Sequence, residues 1–210
     1  SIVSYVDLLK KEEMPSDAAR EYLAVLDRQS QRLRKLTEDL VEASKASTGN
    51  IPVSPAPTDL NVLLSQVCGE YQQRLEDQVL EPVLALCQPG PVAMADGRLL
   101  WRVLDNLMSN ICKYAMPGTR VYLSTEAGED GVRMVVKNIS RYPLNISADE
   151  LTERFVRGDS SRSTEGSGLG LSIATSLTAI QGGDFRLTID GDLFKVTLTL
   201  PRAEQEEKQE

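Results

Sequence analysis

The sequence predicts an α+β fold, in which a helical hairpin precedes a two-layer α/β sandwich with a mixed, mostly antiparallel sheet. A long segment, residues 17–46, indicates the hairpin, because its apolar positions recur in alternating steps of four and three. Two pairs of segments, within 120–138 and 185–200, indicate the sheet, because apolar and polar residues alternate around a glycine-containing turn. Amphipathic segments between them supply helices to cover one sheet face.

Composition limits what the chain can do. Its 210 residues carry a formal net charge of −8, which argues against nucleic acid or an anionic membrane as the main partner. The three cysteines lie scattered in apolar surroundings, which favours buried thiols in a reducing compartment over metal ligands. No apolar run approaches the roughly 20 residues of a membrane span, so we expect a soluble chain. There is no histidine, which excludes imidazole chemistry within these residues.

We interpret residues 1–46 as a helical hairpin, in which Pro15 ends a first helix and Ser16 can cap the second. The second helix carries one apolar stripe with a single polar position: Tyr22, Leu26, Gln29, Leu33, Leu36, Leu40 and Ala43. Such a hairpin buries its stripe poorly alone, so we expect two copies to pair as a four-helix bundle. Packing of the hairpin on its own globular domain is the alternative. The chain begins inside an amphipathic pattern, so we expect a truncated hairpin that dimerises weakly.

The sequence divides further into a linker, a domain and a tail. Residues 47–57 are rich in proline and serine, which predicts an extended linker. Residues 58–202 form the predicted globular domain, and the charged residues 203–210 are a predicted frayed tail.

The globular domain is predicted to open with a helix, two short strands and a second helix. Thr58 or Asp59 caps the first helix, which reaches about residue 77. The apolar runs 82–87 and 92–95 are the predicted strands. The second helix runs from position 97 to about 115 with Asp96 as its cap. Its face away from the core carries Asn106, Asn110, Lys113 and Tyr114.

The rest of the domain alternates strands and helices. In the predicted strand 132–138 the apolar residues share one face with Asn138, which therefore points inward from the strand tip. Short and longer helices are predicted at 148–155 and 169–181. The final hairpin turns at residues 190–191, an Asp-Gly pair.

A glycine-rich segment opens the helix at 169–181. Its glycines, Gly166, Gly168 and Gly170, permit close backbone approach to a ligand, and a helix N-terminus suits an anion such as phosphate. The polar, basic residues 157–164 before it are predicted to form a mobile lid over the phosphates. A tight loop before a core helix is the alternative, since a lone glycine-rich loop is weak evidence.

Together these features suggest one nucleotide site. The Asn110 side chain offers a hard oxygen ligand for Mg²⁺, with phosphates supplying the others. Lys113 can neutralise phosphate charge, Tyr114 can stack on a purine, and Asn138 can hydrogen-bond a base edge. Arg162 and the glycine-loop N–H groups would hold the outer phosphates. Taken singly, each residue has a plain alternative: a surface amide, a solvated lysine, a core tyrosine or an asparagine ending a strand.

The order of these residues resembles the ATP-binding domain of sensor histidine kinases, in the superfamily shared with gyrase, mismatch-repair ATPases and heat-shock chaperone ATPases. DNLMSNICKYA at 105–115 looks like the family's Asn-rich box, ERFVR at 153–157 like its Phe box, and GSGLGL at 166–171 like its second glycine box. YVDLL at 5–9 looks like the stretch just after the phosphoacceptor motif. The resemblance covers residues 1 to about 201.

The resemblance implies a Bergerat-type ATP-binding fold with ATP and Mg²⁺ as cofactors. It implies catalytic roles for Asn106, Asn110 and Lys113, with Asn110 as the metal ligand. The implied nucleotide contacts are Asn110, Lys113, Tyr114, Asn138, Arg157, Arg162, Gly166, Gly168, Leu169, Gly170 and Leu171. In hydrolytic relatives a glutamate one turn before the metal-binding asparagine activates water. Asn106 stands there in this chain, which favours phosphotransfer over hydrolysis.

The resemblance also implies the reaction and its partners. The γ-phosphoryl group passes from ATP to a histidine on the first bundle helix, and then to an aspartate on a response regulator. That histidine is expected roughly two turns upstream of Ser1, so this chain alone cannot phosphorylate itself. The parent is expected to be a membrane-anchored homodimer, with this portion in the cytoplasm.

One motif departs from the family. Its first glycine box, Asp-x-Gly-x-Gly, is NISRY at 138–142 here, so the acid and both glycines are missing. Asn138 lacks the charge-assisted bond of an acid, which predicts weak ATP binding and leaves base selectivity open. A degenerate, non-catalytic dimerisation and signalling module is therefore the alternative. A dinucleotide-binding oxidoreductase is excluded because no βαβ unit surrounds the glycines, and a P-loop because Gly-Lys-Ser/Thr is absent.

Overall fold

The computed structural model of the chain describes residue 6 and residues 16–144, 147–152 and 168–203. The chain divides into two compact units, residues 1–42 and residues 43–210. Helix α1, Ser16–Ser47, begins in the first unit and ends in the second, which confirms the predicted long helix. The first predicted helix lies outside the described residues, apart from Val6, which is helical. None of the helices in the described ranges is long and apolar enough to cross a bilayer.

The second unit contains the predicted alternation of helices and strands. In chain order its elements are β1 (Ala56–Asp59), α2 (Leu60–Asp77), β2 (Glu81–Ala85), β3 (Val92–Ala95), α3 (Gly97–Tyr114), β4 (Arg120–Gly128), β5 (Gly131–Ile139), α4 (Ala148–Thr152), α5 (Gly170–Ala179), β6 (Asp184–Asp190) and β7 (Leu193–Leu200). Five strands form one sheet in the order β2-β4-β5-β7-β6. Strand β2 runs parallel to β4 and every other neighbour is antiparallel, so the mixed, mostly antiparallel sheet is confirmed.

Strands β1 and β3 form a separate antiparallel pair, with Ala56 opposite Ala95. Strand β1 was not predicted from the sequence, and its first two residues fall in the predicted linker. The division between the two compact units also comes earlier than that linker, between Glu42 and Ala43. The linker and the domain bounds therefore stay predictions.

The core lies between one face of the five-stranded sheet and the helices of the second unit. On β5 the inward row is Val132, Met134, Val136 and Asn138, all buried, as the alternation predicted. The largest fully buried side chains come from both layers: Leu60, Leu64, Leu75, Leu100, Leu104, Leu107, Met108, Leu123, Met134, Leu169, Ile173 and Leu177. The other sheet face carries polar and charged residues, among them Lys137 over the ring of Tyr122. The two-layer sandwich is confirmed.

Side-chain caps and turns fix the element ends. The Asp59 carboxylate accepts the backbone N–H groups of Asn61 and Val62, so Asp59, and not Thr58, caps α2. Two residues past the end of α2, Val79 has a left-handed backbone, at φ +56°, where the turn that follows the helix closes. The turn of the final hairpin lies at positions 191–192, one residue later than predicted, because Asp190 still pairs with Leu193.

Candidate functional site

Helix α3 carries four of the predicted site residues, and two aspartates hold it in place. Asp96 caps its first turn by accepting from the backbone N–H groups of Arg98 and Leu99. Halfway along, the Asp105 carboxylate accepts a hydrogen bond of 2.6 Å from the Tyr71 hydroxyl on α2 and pairs with Arg102 at 2.9 Å. Burial, together with that bond to Asp105, raises the pKa of Tyr71, so the hydroxyl stays protonated and donates.

The start of α3 is tied to two other segments through Asp96. Its backbone N–H donates to the side-chain oxygen of Gln181, just past α5, at 2.9 Å, and its carboxylate accepts from the backbone N–H of Ser54 at 3.0 Å. Burial alone would raise the pKa of Asp96. Hydrogen bonds from the Arg98 side chain and from backbone N–H groups outweigh that effect, so the pKa lies below its ordinary value. Asp96 is therefore a charged anchor for α3.

Asn106 packs directly against the first residue of α5. A Cβ atom added to Gly170 would lie 3.3 Å from the Asn106 side-chain oxygen, a tight contact that Asn106 could accept only by moving slightly. The Asn106 amide nitrogen donates to the Arg102 carbonyl oxygen at 3.0 Å. Asn106 is only 8% exposed, so it is more buried than the rest of the polar face. The polar face of α3 thus meets the glycine-opened end of α5, as the order of motifs predicted.

The other end of α3 is joined to the tip of β5. The Met116 N–H donates to the Ile139 carbonyl oxygen at 2.8 Å, and the Arg141 N–H donates to the Tyr114 carbonyl oxygen at 2.8 Å. An isolated bridge pairs Ala115 with Ser140. These bonds bring the segment that contains Lys113 and Tyr114 next to the segment that begins at Asn138.

Asn138 points into the core side of the sheet from the tip of β5. It is 4% exposed, and its amide nitrogen donates to the Ile139 carbonyl oxygen at 3.2 Å. Asn110 lies one helical turn before Tyr114, which places it about 6 Å back along the axis of α3. Asn110 and Asn138 therefore belong to connected parts of one region, not to separate parts of the molecule.

The glycine-rich segment is described from Gly168 onward, just before α5 begins. Gly168 has φ +71°, a left-handed conformation that glycine adopts without strain. Leu169 is the N-cap and makes no side-chain capping bond, and its side chain is buried in the core. The first turn of α5, from Gly170 and Leu171, thus receives no cap from the residue that would usually supply one.

Not all predicted site residues are described. Arg157, Arg162 and Gly166 lie outside the described residues, as do the predicted lid and the end of the helix at 148–155. The donors that are described suit a magnesium nucleotide: an amide oxygen at Asn110, an ammonium group at Lys113 and backbone N–H groups at the start of α5.

The sequence did not indicate how the segment without its glycines would fold. The Ser140 hydroxyl donates to the Tyr142 carbonyl oxygen at 2.7 Å and accepts from the Tyr142 N–H at 3.3 Å. The Ser140 N–H donates to the Asp192 carbonyl oxygen at 2.7 Å, across to the final hairpin. A serine hydroxyl that bonds the backbone two residues later is a recognised turn motif. Here this serine turn forms where the family has its glycines.

Comparison with known proteins identifies the family. The family model described as "Histidine kinase-, DNA gyrase B-, and HSP90-like ATPase" matches residues 95–204. The chain belongs to this family. The matched range of this ATPase family contains α3, β5 and α5, and so includes every predicted site residue. Family membership implies that the chain binds ATP.

Individual relatives agree with the family. The sensor protein VanSC of Enterococcus gallinarum is 30% identical over 205 residues, which cover 96% of this chain and 56% of that protein. Full-length ShkA, solved in complex with AMPPNP, is 27% identical with a TM-score of 0.75, covering 93% of this chain and 41% of that one. Histidine kinase ThkA, solved in complex with the response regulator protein TrrA, shares the fold at 18% identity and a TM-score of 0.69, covering 98% and 58%.

The chain spans about half the length of these relatives. The expected function is confirmed at the level of the domain, because the chain contains the catalytic ATPase domain of sensor histidine kinases. The comparisons give no support to the alternative of a degenerate, non-catalytic module.

Proposed function

We propose that this chain is the catalytic portion of a sensor histidine kinase and that it holds ATP as its magnesium complex between α3, the tip of β5 and the start of α5. The pair of 2.8 Å hydrogen bonds joining Tyr114 and Met116 to the β5 tip carries this proposal. Because of these bonds, a ligand beside Asn110 is also within reach of the segment at Asn138. The packing of Asn106 on Gly170 brings the start of α5, the third element of the proposed site, against α3.

Each residue has a proposed role. Asn110 is the metal ligand, and Lys113 neutralises phosphate charge. Tyr114 stacks on the purine, and Asn138 hydrogen-bonds the base edge. Mg²⁺, when bound, screens the charge of the phosphates. Backbone N–H groups at 168–171, with Arg157, Arg162 and Gly166, hold the phosphates.

The proposed reaction is phosphoryl transfer and not hydrolysis. Positioning and charge neutralisation do most of the work in such transfers. Asn106 has no carboxylate with which to activate water, and its amide is already bonded to the Arg102 carbonyl oxygen. The acceptor is a histidine outside these 210 residues, which contain none. The phosphoryl group then passes to a response regulator, the kind of partner seen with ThkA.

The proposed assembly is a homodimer formed through the helical hairpin of a membrane-anchored parent whose catalytic portion lies in the cytoplasm. Leu23, Leu33 and Leu40 on α1 are each about half exposed, at 56%, 57% and 49%. Covering such leucines between two copies would stabilise a bundle. Light scattering of this chain should show concentration-dependent dimerisation. A chain that stays monomeric at every concentration would contradict the proposed assembly.

Calorimetric titration with ATP tests the proposed site. We expect binding in the presence of Mg²⁺, much weaker binding with EDTA, and no Mg²⁺-dependent binding after Asn110→Ala. Circular dichroism of the variant should match the wild-type protein, because Asn110 is partly exposed and lies outside the core. Asn50→Ala is the matched control, since Asn50 is exposed and follows α1.

Two outcomes would contradict the proposal. Unaltered ATP affinity in Asn110→Ala would remove the metal role. Absence of heat from the wild-type chain at millimolar Mg-ATP would favour the non-catalytic module.

A further inference from the structure

Arg141 lies at the junction between α3 and the tip of β5, within the segment that replaces the first glycine box. Its backbone N–H donates to the Tyr114 carbonyl oxygen at 2.8 Å, and the neighbouring Ser140 bridges Ala115. Its neighbours are fixed as well, because the Ser140 hydroxyl and the backbone of Tyr142 bond to each other. Arg141 is therefore held next to the tyrosine that is proposed to stack on the base.

The Arg141 side chain contains a buried donor without an acceptor. Within the part of the chain that the structure describes, the Nε atom of Arg141 is buried and bonds to nothing, and it is the one such side-chain atom found there. A buried donor of a charged group is costly to leave unpaired. A ligand that supplies the acceptor would explain an unpaired arginine donor whose backbone is held beside the proposed base site.

We infer that Arg141 reads the base of the bound nucleotide by donating to an acceptor atom of the purine ring, an inference that rests on the proposed function. The base end is favoured over the phosphates for two reasons. The backbone of Arg141 is bonded to Tyr114. It is also only three residues from Asn138, and both partners are assigned to the base. Lys113 and the start of α5 are assigned to the phosphates instead.

The chemistry of the two purines makes this inference specific. Guanine presents two acceptors, O6 and N7, on the edge that a guanidinium reads bidentately, whereas adenine presents N7 beside an amino donor. Arg141 should therefore support guanine nucleotides more than adenine nucleotides. The chain should therefore discriminate less strongly against GTP than a family member that has an acid at the position of Asn138.

The test compares nucleotides that share a triphosphate and differ in the base. Mg-AMPPNP and Mg-GMPPNP are titrated into the wild-type chain, Arg141→Met and Arg141→Lys. Arg133→Met is the control, since the Arg133 guanidinium carbon lies against Gly128 in the β4–β5 hairpin. We expect Arg141→Met to weaken GMPPNP binding by about tenfold or more, and AMPPNP binding by less. Arg141→Lys keeps the charge but loses the paired N–H donors of the guanidinium, so its affinity for GMPPNP should stay below that of the wild-type chain.

The outcomes separate this inference from the proposed function. Equal losses for both nucleotides would mean that Arg141 contacts phosphate or ribose, and would overturn the inference, as would no loss at all. Thermal unfolding without nucleotide gives a second arm: Arg141→Met should be no less stable than wild type, because an unpaired donor is removed. A clear fall in Tm would show a structural partner and overturn the inference. If the wild-type chain bound neither nucleotide, the proposed function itself would fail.

Discussion

Replacing Gly170 by alanine tests the contact that brings the polar face of α3 to the start of α5. The new methyl group would lie 3.3 Å from the Asn106 side-chain oxygen, closer than carbon and oxygen atoms normally pack. Asn106 is buried and bonded to the Arg102 carbonyl oxygen, so it cannot move without weakening that bond. The perturbation therefore acts on a site residue through one defined contact.

The expected magnitude comes from two opposing effects. Replacing glycine by alanine in a helix interior stabilises the folded chain by about 0.5–1 kcal/mol where nothing obstructs the methyl group, and Gly170, as the first residue of α5, gains at most that amount. Weakening the Asn106 hydrogen bond costs about 1 kcal/mol. The net change for Gly170→Ala should then be close to zero. Gly69→Ala is the matched control, because Gly69 lies in α2 with no atom within 4 Å of its added Cβ, and it should show the full gain.

Urea unfolding of four proteins measures this coupling: wild type, Gly170→Ala, Asn106→Ala and the double variant. We expect a coupling free energy of about 1 kcal/mol, because Gly170→Ala should regain its stabilisation once the Asn106 amide is gone. Mg-ATP affinity of Gly170→Ala should fall although its stability hardly changes. A gain equal to that of Gly69→Ala, with no coupling to Asn106, would refute the packing of these two residues and the site built on it.

Three further changes test how the helices that carry the site are held. Val79→Gly should raise the free energy of unfolding by about 1 kcal/mol, because a β-branched residue at φ +56° is strained. Little burial is lost in this variant, since the Val79 side chain is 67% exposed. An unchanged urea midpoint would contradict the strain at Val79. Tyr71→Phe should lower the free energy of unfolding by about 1.5–3 kcal/mol, because the Tyr71 hydroxyl donates to the charged Asp105. The control Tyr122→Phe, on the exposed sheet face, should change stability little. Equal effects would contradict the role of the Tyr71–Asp105 bond in holding α3. Asp96→Ala should cost about 1 kcal/mol at pH 7. The pKa of Asp96 is lowered in the folded chain, so its contribution to stability is present above about pH 4 and is lost as the pH falls through the folded-state pKa. In urea unfolding, the stability difference between Asp96→Ala and wild type should therefore become smaller as the pH falls below about 4. A difference that does not depend on pH would contradict a charged cap.

Much of the fold could be predicted because local signals and the fold agreed. The caps of α2 (Thr58 or Asp59 in the prediction) and α3 (Asp96) come directly before apolar helical patterns, and the alternation in β5 and β7 indicated which face of each strand is buried. Strand β1 could not be found in this way. It has four residues, contains a proline and pairs with β3 more than 30 residues along the chain, so no local period marks it.

The site was predicted less completely than the fold, for a physical reason. Residue types and spacing indicated which side chains share the polar face of α3, and the family resemblance indicated their order. Neither indicated that Asn106 would be buried against Gly170, because that depends on how two helices pack. The strained Val79 and the unpaired Nε of Arg141 likewise follow from tertiary structure, where the surroundings override local preference.

The polar face of α3 and the tip of β5 are proposed to hold one magnesium nucleotide together. A crystal structure of this chain with Mg-AMPPNP would locate the nucleotide. We expect the metal beside the side-chain oxygen of Asn110 and the base between Tyr114 and Asn138, with the phosphates reaching the start of α5. A nucleotide bound elsewhere, or a metal without Asn110 among its ligands, would contradict it.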